Sequence, residues 1–299
     1  MSTPVRPRRS VLFMPGSNPR ALQKARGLPA DALVIDLEDA VAPEAKEGAR
    51  ARVAATLAEG GFAPREVVVR TNATDTPWFD ADMAMIAAAS ARGEGPDAVL
   101  LPKVNDPETL HVVGRLLETL GAASSLHVWA MIETPVAVLR APDIALAGKS
   151  RVTRLGALVL GTNDLSKETG TRIVPGRAPM ASWLSHCVLA ARAGGVAVLD
   201  AVWNDFRDLD GFTRECREAA DMGFDGKTLI HPDQIAPSNA AFSPPEAEVA
   251  AARALIALFE RPEIAGKGVV QMEGRMVERM HADIARRTVA LAEAIARRG

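Results

Sequence analysis

Leu126-His127-Val128-Trp129-Ala130-Met131-Ile132-Glu133-Thr134-Pro135 is the stretch whose reading decides the fold. Its bulky and small apolar residues run on to Ile132 with no regular polar face, which predicts a strand buried on both sides. Glu133 then stands where the strand ends, and Pro135 stops it and opens the next segment. A carboxylate at the lip of a buried strand is costly unless something binds it. Further on, Ala157-Leu158-Val159-Leu160-Gly161-Thr162-Asn163-Asp164 repeats the design, a buried strand and then an acid. Two acidic groups on successive strand ends can hold one hard divalent cation and leave positions for water or substrate.

Outward from this pair, the same strand signal recurs at 9–16, 32–38, 66–72, 97–104, 196–201 and 226–230. Helical patterns fall between the strands, at 18–26, 43–59, 80–91, 106–120, 181–193 and 211–222, several opened by Asn, Asp or Pro. Eight strands alternating with helices predict parallel pairing and closure into a (β/α)8 barrel, a TIM barrel, over 1–237. No Gly-x-Gly-x-x-Gly follows any strand, which counts against an open dinucleotide-binding sheet. Past 238 the pattern reads as helices only, at 244–259 and 280–298, with a turn around Gly266 and Gly268. This C-terminal helical extension, 238–299, has an apolar face that seeks the barrel or a neighbouring subunit.

Composition bounds the partners. The 299 residues suit a barrel of about 250 with an extension. A net charge of −2 lacks the basic stripe of a nucleic-acid binder, so no nucleic acid is expected. No apolar run approaches the ~20 residues of a membrane helix, and the basic start has no signal-type stretch behind it, so a cytoplasmic protein off the membrane is expected. Cys187 and Cys216 have neither metal-ligand nor disulfide spacing, and Cys187 reads as a packed thiol.

In such a barrel the active site lies at the C-terminal ends of the strands. Those ends carry Asp36, Glu38 and Asp39, then Arg70 and Asn72, then Lys103, Glu133, Asn163 and Asp164. A divalent ion on Glu133 and Asp164 would polarise substrate oxygens, and an all-oxygen donor set favours Mg2+, with Mn2+ as a substitute. Arg70 offers a planar fork for a carboxylate or an enolate oxygen. Glu38 and Asp39 are candidates to hold metal-bound water, Arg70 or Lys103. Lys103 either neutralises the acidic rim or acts directly, His231 either caps the eighth strand or acts as a base, and Asp36 either makes a structural ion pair or touches substrate.

Here the chain resembles a known family. Residues 9–18 (RSVLFMPGSN), 32–41 (ALVIDLEDAV), 101–104 (LPKV), 132–134 (IET), 204–206 (NDF), 223–232 (GFDGKTLIHP) and 274–277 (GRMV) resemble the citrate lyase β-subunit family, with the malyl-CoA and citramalyl-CoA lyases of the HpcH/HpaI aldolase superfamily. The resemblance implies a Mg2+-dependent lyase that cleaves or forms a carbon–carbon bond in a 3-hydroxyacyl-CoA thioester. Malyl-, citramalyl- or citryl-CoA would give acetyl-CoA and a 2-oxo acid. Alternatives are malyl-CoA thioesterase activity on the same site, or the β-subunit of a multi-subunit citrate lyase. Glu133 and Asp164 fall on the family's metal ligands and Arg70 on its substrate arginine. Gly16, Ser17, Arg20, Lys24, Lys227 and His231 fall where the family brings in coenzyme A. Ala201-Val202-Trp203 stands where relatives often have Gly-Val-Tyr, and the chain ends at Gly299 without the longer lid that brings malyl-CoA lyases a catalytic aspartate. Glu38, Asp39 or water activated at the metal are then the candidates for general base. A homo-oligomer, trimer or hexamer, is expected.

Overall fold

Residues 5–261, 264, 268–272 and 274–298 are described by a computed structural model. Its eight parallel strands close in sequence order: β1 Ser10–Pro15, β2 Ala32–Asp36, β3 Glu66–Arg70, β4 Ala98–Leu101, β5 His127–Ile132, β6 Leu155–Leu160, β7 Ala197–Asp200 and β8 Gly226–Leu229. β8 pairs back onto β1, with Val11 beside Thr228, so no edge is left open. Around them run α1 Pro19–Ala25, α2 Lys46–Glu59, α3 Phe79–Ala91, α4 Pro107–Thr119, α5 Pro135–Leu139, α6 Ala141–Leu146, α7 Thr162–Thr169, α8 Ala181–Gly194, α9 Leu209–Met222 and α10 Ile235–Ala241. The expected strands are all present, most of them a few residues shorter at the mouth end or start, because the polar residues there turn out of the ladder.

Alternation along each strand sorts the side chains. Val11, Val34, Val68, Leu100, Trp129, Met131, Val159 and Leu199 point inward and pack together as the barrel's filling. Continuing that parity to the C-terminal ends brings Asp36, Arg70 and Glu133 to the mouth of the lumen. The opposite parity sends Asp200 and Lys227 outward, under the helices. Cys187 and Cys216 are buried free thiols, pushed up to about 12 by burial, in keeping with packing rather than reactivity.

Contacts divide the chain after Ala241 rather than at 237/238, since α10 belongs to the barrel unit: Ser238 Oγ donates to the Arg9 carbonyl at 2.7 Å, and Ser10 Oγ to Asn239 at 2.7 Å. The second unit, the described residues from Phe242 on with residues 5–7, holds α11 Glu246–Phe259 and α12 Arg279–Ala296. It is not helices only. β9 Val269–Met272 and β10 Arg275–Glu278 form an antiparallel hairpin, with Gly274 at φ 77° in its turn. Val-Val-Gln-Met and Arg-Met-Val-Glu are too short for a helical period to compete with alternation. Gly266 lies outside the described residues. Among the described residues no helix is long and apolar enough to cross a membrane.

Candidate active site

The turn after β2 is built by Asp36. Its carboxylate accepts the amides of Glu38 (2.8 Å) and Ala40 (3.0 Å), which bends the chain back across the mouth. Asp36 and Arg70 are register partners on adjacent strands with the same inward parity. Arg70 therefore gives its fork to Asp36, Nε to Oδ1 at 2.7 Å and Nη2 to Oδ2 at 2.6 Å. The sequence expectation of an open fork facing substrate is corrected here. A guanidinium this deeply buried needs a bidentate partner, and the neighbouring strand supplies it. What remains is Nη1, 2.7 Å from Glu38 Oε2 and 3.6 Å from Asp39. The Glu38 contact is an ion pair without hydrogen-bond alignment, so that buried oxygen lacks a donor. Burial would lower the Arg70 pKa, but Asp36 and then Glu38 hold it above the ordinary arginine value. Asp36 is thus the structural ion-pair partner of the alternatives posed.

Lys46, which the sequence did not single out, locks the same turn. Its buried ammonium donates to the carbonyls of Leu37 and Glu38, both at 2.7 Å, and lies 5.3 Å from the Trp78 ring centre. Glu38 so held takes Lys103 Nζ on Oε1 at 3.1 Å. Lys103 sits just past β4 with φ 53°, and this left-handed turn aims its amide at Glu133 Oε1, 2.7 Å away. Burial lowers the Lys103 pKa and Glu38 more than offsets it, so the amine stays above its usual value. That favours charge neutralisation over a Schiff-base role, which needs a depressed pKa.

Glu133 is only 1% exposed. Burial, then the nearby Glu38 carboxylate, pushes its carboxyl up to about 8, and Asp164 adds to the same negative field. Asp164 is half-buried in the first turn of α7 rather than on the strand, which ends at Leu160. The turn that carries it is pinned by mutual amide bonds between Asn163 and Asn204, at 3.1 and 2.8 Å. Among the described residues no three His, Cys, Asp or Glu side chains converge as a preformed metal cage. The donor chemistry nonetheless fits a hard cation, since Glu133 and Asp164 offer oxygen ligands only.

The residues expected at coenzyme A divide. Arg20 and Lys24 are exposed one turn apart on α1, and Ser17 is half-exposed before it. Asn18, not Ser17, caps that helix, accepting the amides of Arg20 and Ala21. Gly16 is buried so close to β2 that a Cβ would meet the Asp36 carbonyl at 2.9 Å. His231 caps the turn after β8, Nδ1 accepting the Asp233 amide at 3.2 Å, and stacks on Phe206 with ring centres 4.8 Å apart. Lys227 is a correction. Its outward parity places it between Asp200 (2.6 Å) and Glu215 (2.7 Å), with no exposed surface to offer a ligand. A cleft of about 670 Å3 lined by Phe79, Asp106, Thr109 and Arg140 contains none of the rim carboxylates.

A closed (β/α)8 barrel with acids and bases gathered at its mouth has the architecture of an enzyme, and comparison with known proteins supplies the class. Residues 9–232 match the model of the HpcH/HpaI aldolase/citrate lyase family, and the chain belongs to that family. It is 46% identical over 99% of its length to a (3S)-malyl-CoA thioesterase of Cereibacter sphaeroides, covering 98% of that protein. It is 34% identical to the citrate lyase subunit beta of Leuconostoc mesenteroides, covering 96% of this chain and 94% of that one. Against the mitochondrial citramalyl-CoA lyase of Rattus norvegicus the identity is 32%, over 97% and 87% of the two chains. Among solved structures, CitE of Mycobacterium tuberculosis in complex with magnesium, acetoacetate and coenzyme A superposes with TM-score 0.73 at 28% identity, over 95% of this chain and 97% of that one.

Proposed function

We propose that this chain is a Mg2+-dependent enzyme acting on a coenzyme A thioester of a 3-hydroxy acid, with malyl-CoA as the type substrate. The observation that carries this is Glu133, a buried carboxylate at the barrel mouth whose Oε1 is held by the Lys103 amide at 2.7 Å within the electrostatic reach of Asp164. Bound there, Mg2+ would supply Lewis acidity toward the substrate's oxygens. The chain's own residues do the rest. Lys103 and Arg70 Nη1 fix positive charge beside Glu38, charge that would stabilise an oxyanion developing on a thioester bound at the mouth. Burial raises the Glu38 pKa against the pull of Arg70, which suits its carboxylate to take and return a substrate proton. Asp39, more exposed, is the alternative. Arg20 and Lys24 face solvent at helical spacing, as phosphates of coenzyme A require.

Carbon–carbon cleavage, to acetyl-CoA or propionyl-CoA and a 2-oxo acid, is the family's reaction. Thioester hydrolysis, to free coenzyme A and the hydroxy acid, is the outcome favoured for this chain in particular. The reason is that relatives named for hydrolysis are 44–46% identical, and those named for the lyases 32–34%. Incubation of the purified chain with malyl-CoA and Mg2+, with products separated by chromatography, decides between them. Malate and free coenzyme A mark hydrolysis, acetyl-CoA and glyoxylate mark cleavage, and neither product sinks both readings. Activity of the chain alone would also set aside an obligate citrate lyase subunit. A homo-oligomer and a cytoplasmic location complete the proposal, and light scattering and cell fractionation test them.

A further inference from the structure

Two residues that flank Glu133 have identities their own backbones do not explain. Gly161 follows β6 with φ −117° and ψ 79°, a conformation open to any L-residue. Glycine is not needed there for its φ. Lys103 is the reverse, φ 53° in the region that favours glycine, yet it carries a long side chain. Both anomalies face the same carboxylate. A Cβ on Gly161 would lie 2.4 Å from Glu133 Cβ and 2.8 Å from Oε2, closer than atoms pack. On the other side the Lys103 amide holds Oε1 at 2.7 Å. The Gly161 amide also donates to the Ile132 carbonyl at 3.1 Å, so this wall is tied to the strand that bears Glu133.

We propose that Gly161 and Lys103 are positioning residues that hold the Glu133 carboxylate between two backbone walls and thereby set how it meets the divalent cation. Gly161 acts by leaving out a side chain, and Lys103 by turning its amide inward. Neither touches the cation. The inference rests on the metal reading above, and metal binding measured without substrate separates the two.

The test titrates Mg2+ by calorimetry, and Mn2+ by electron paramagnetic resonance, into wild type, Gly161→Ala and Lys103→Gly. In folded Gly161→Ala the added methyl displaces Glu133, and affinity should fall roughly ten- to a hundredfold, the range seen when supports of a metal ligand are removed. Lys103→Gly keeps the amide and suits the left-handed turn, so its affinity should stay near wild type while turnover drops with loss of the Nζ contact to Glu38. If wild type binds neither ion, the metal reading fails. If wild type binds and Gly161→Ala binds equally well, the positioning role alone is overturned. Should Gly161→Ala not fold, the Glu133→Gly/Gly161→Ala double variant removes the atom it strikes and should melt with Glu133→Gly. A double variant that still collapses would show that Gly161 serves strand pairing instead. Affinity lost in Lys103→Gly as deeply as in Glu133→Gln would show that the lysine side chain, not its amide, supports the ligand.

Discussion

On the outer face of β7 and β8, Asp200 and Glu215 meet Lys227 and Arg177, two acids with two bases, at 2.6 to 3.4 Å. At the mouth of the lumen, Asp36, Glu38, Asp39, Glu133 and Asp164 meet Arg70, Lys103 and Lys46, five acids with three bases. Both clusters are set among apolar strands, and they have opposite consequences. In the closed quartet burial works against each charge, but the partners win: Asp200 stays below the usual carboxylate range, and Lys227 and Arg177 stay above theirs. At the mouth burial wins at Glu133, the Glu38 carboxylate adds to it, and the carboxyl is raised to about 8. In the first cluster the charges balance, whereas in the second the acids outnumber the bases.

The largest effect should come from breaking the balanced cluster. Lys227→Met leaves Asp200 and Glu215 out of water with Arg177 as their one remaining partner in the quartet and should cost about 3–5 kcal/mol of stability by denaturant titration. Metal affinity of whatever remains folded should be unchanged. If instead metal binding falls and stability holds, Lys227 belongs to the mouth after all.

The same kind of change at the mouth should behave oppositely. Glu133→Gln mimics the protonated acid, so the metal-free variant should match wild type in acid and be more stable than it at neutral pH. Wild type should gain about 2.7 kcal/mol from Mg2+ at a hundredfold excess over its Kd, and the variant little or none. The pH dependence comes from the sign of the shift. Glu133 holds its proton more tightly folded than unfolded, so its contribution is present below about 4.5 and is lost as pH rises to about 8. Asp200 is shifted the other way and loosens only in acid, below the ordinary aspartate value of 3.8. Between pH 5 and 8 the Asp200 contribution is therefore constant. The Tm of metal-free wild type should decline relative to Glu133→Gln across that window, and Mg2+ should flatten the difference. Parallel curves would show that Glu133 is ordinarily ionised.

Arg70→Lys keeps the charge and loses the fork on Asp36, which should cost about 1.5–3 kcal/mol, the scale of a hydrogen bond between charged groups. Turnover should fall with it, because the β2 turn that presents Glu38 hangs from Asp36. Unchanged stability with a raised KM would restore Arg70 as an open substrate clamp. The smallest effect belongs to Asp39, whose side chain is 66% exposed and 3.6 Å from Arg70. Asp39→Asn should shift stability by less than about 0.5 kcal/mol. A large loss of turnover there with intact folding would move the general base from Glu38 to Asp39.

Much of this was legible along the chain. Apolar runs ended by acids marked the strands and the rim, and the alternation of β with α pointed to a closed parallel barrel. Parity could even have warned against Lys227, since it is one residue out of step with Thr228, the register partner of inward Val11. The C-terminal hairpin was missed because two strands of four residues give no period to count, and a glycine before Arg275 was its one signal. Lys46 left no trace either, as a lysine at the start of a helix normally faces water.

By itself, the sequence determined which groups reach the barrel mouth, because strand length, alternation and turn residues are local properties. Only the tertiary structure decided which of them remain available. Closing the barrel set Asp36 beside Arg70 and used up the fork, buried Glu133 near the Glu38 carboxylate, and sealed Lys227 away from any ligand. Pairing and desolvation depend on residues far apart in the chain, and no local pattern carries them.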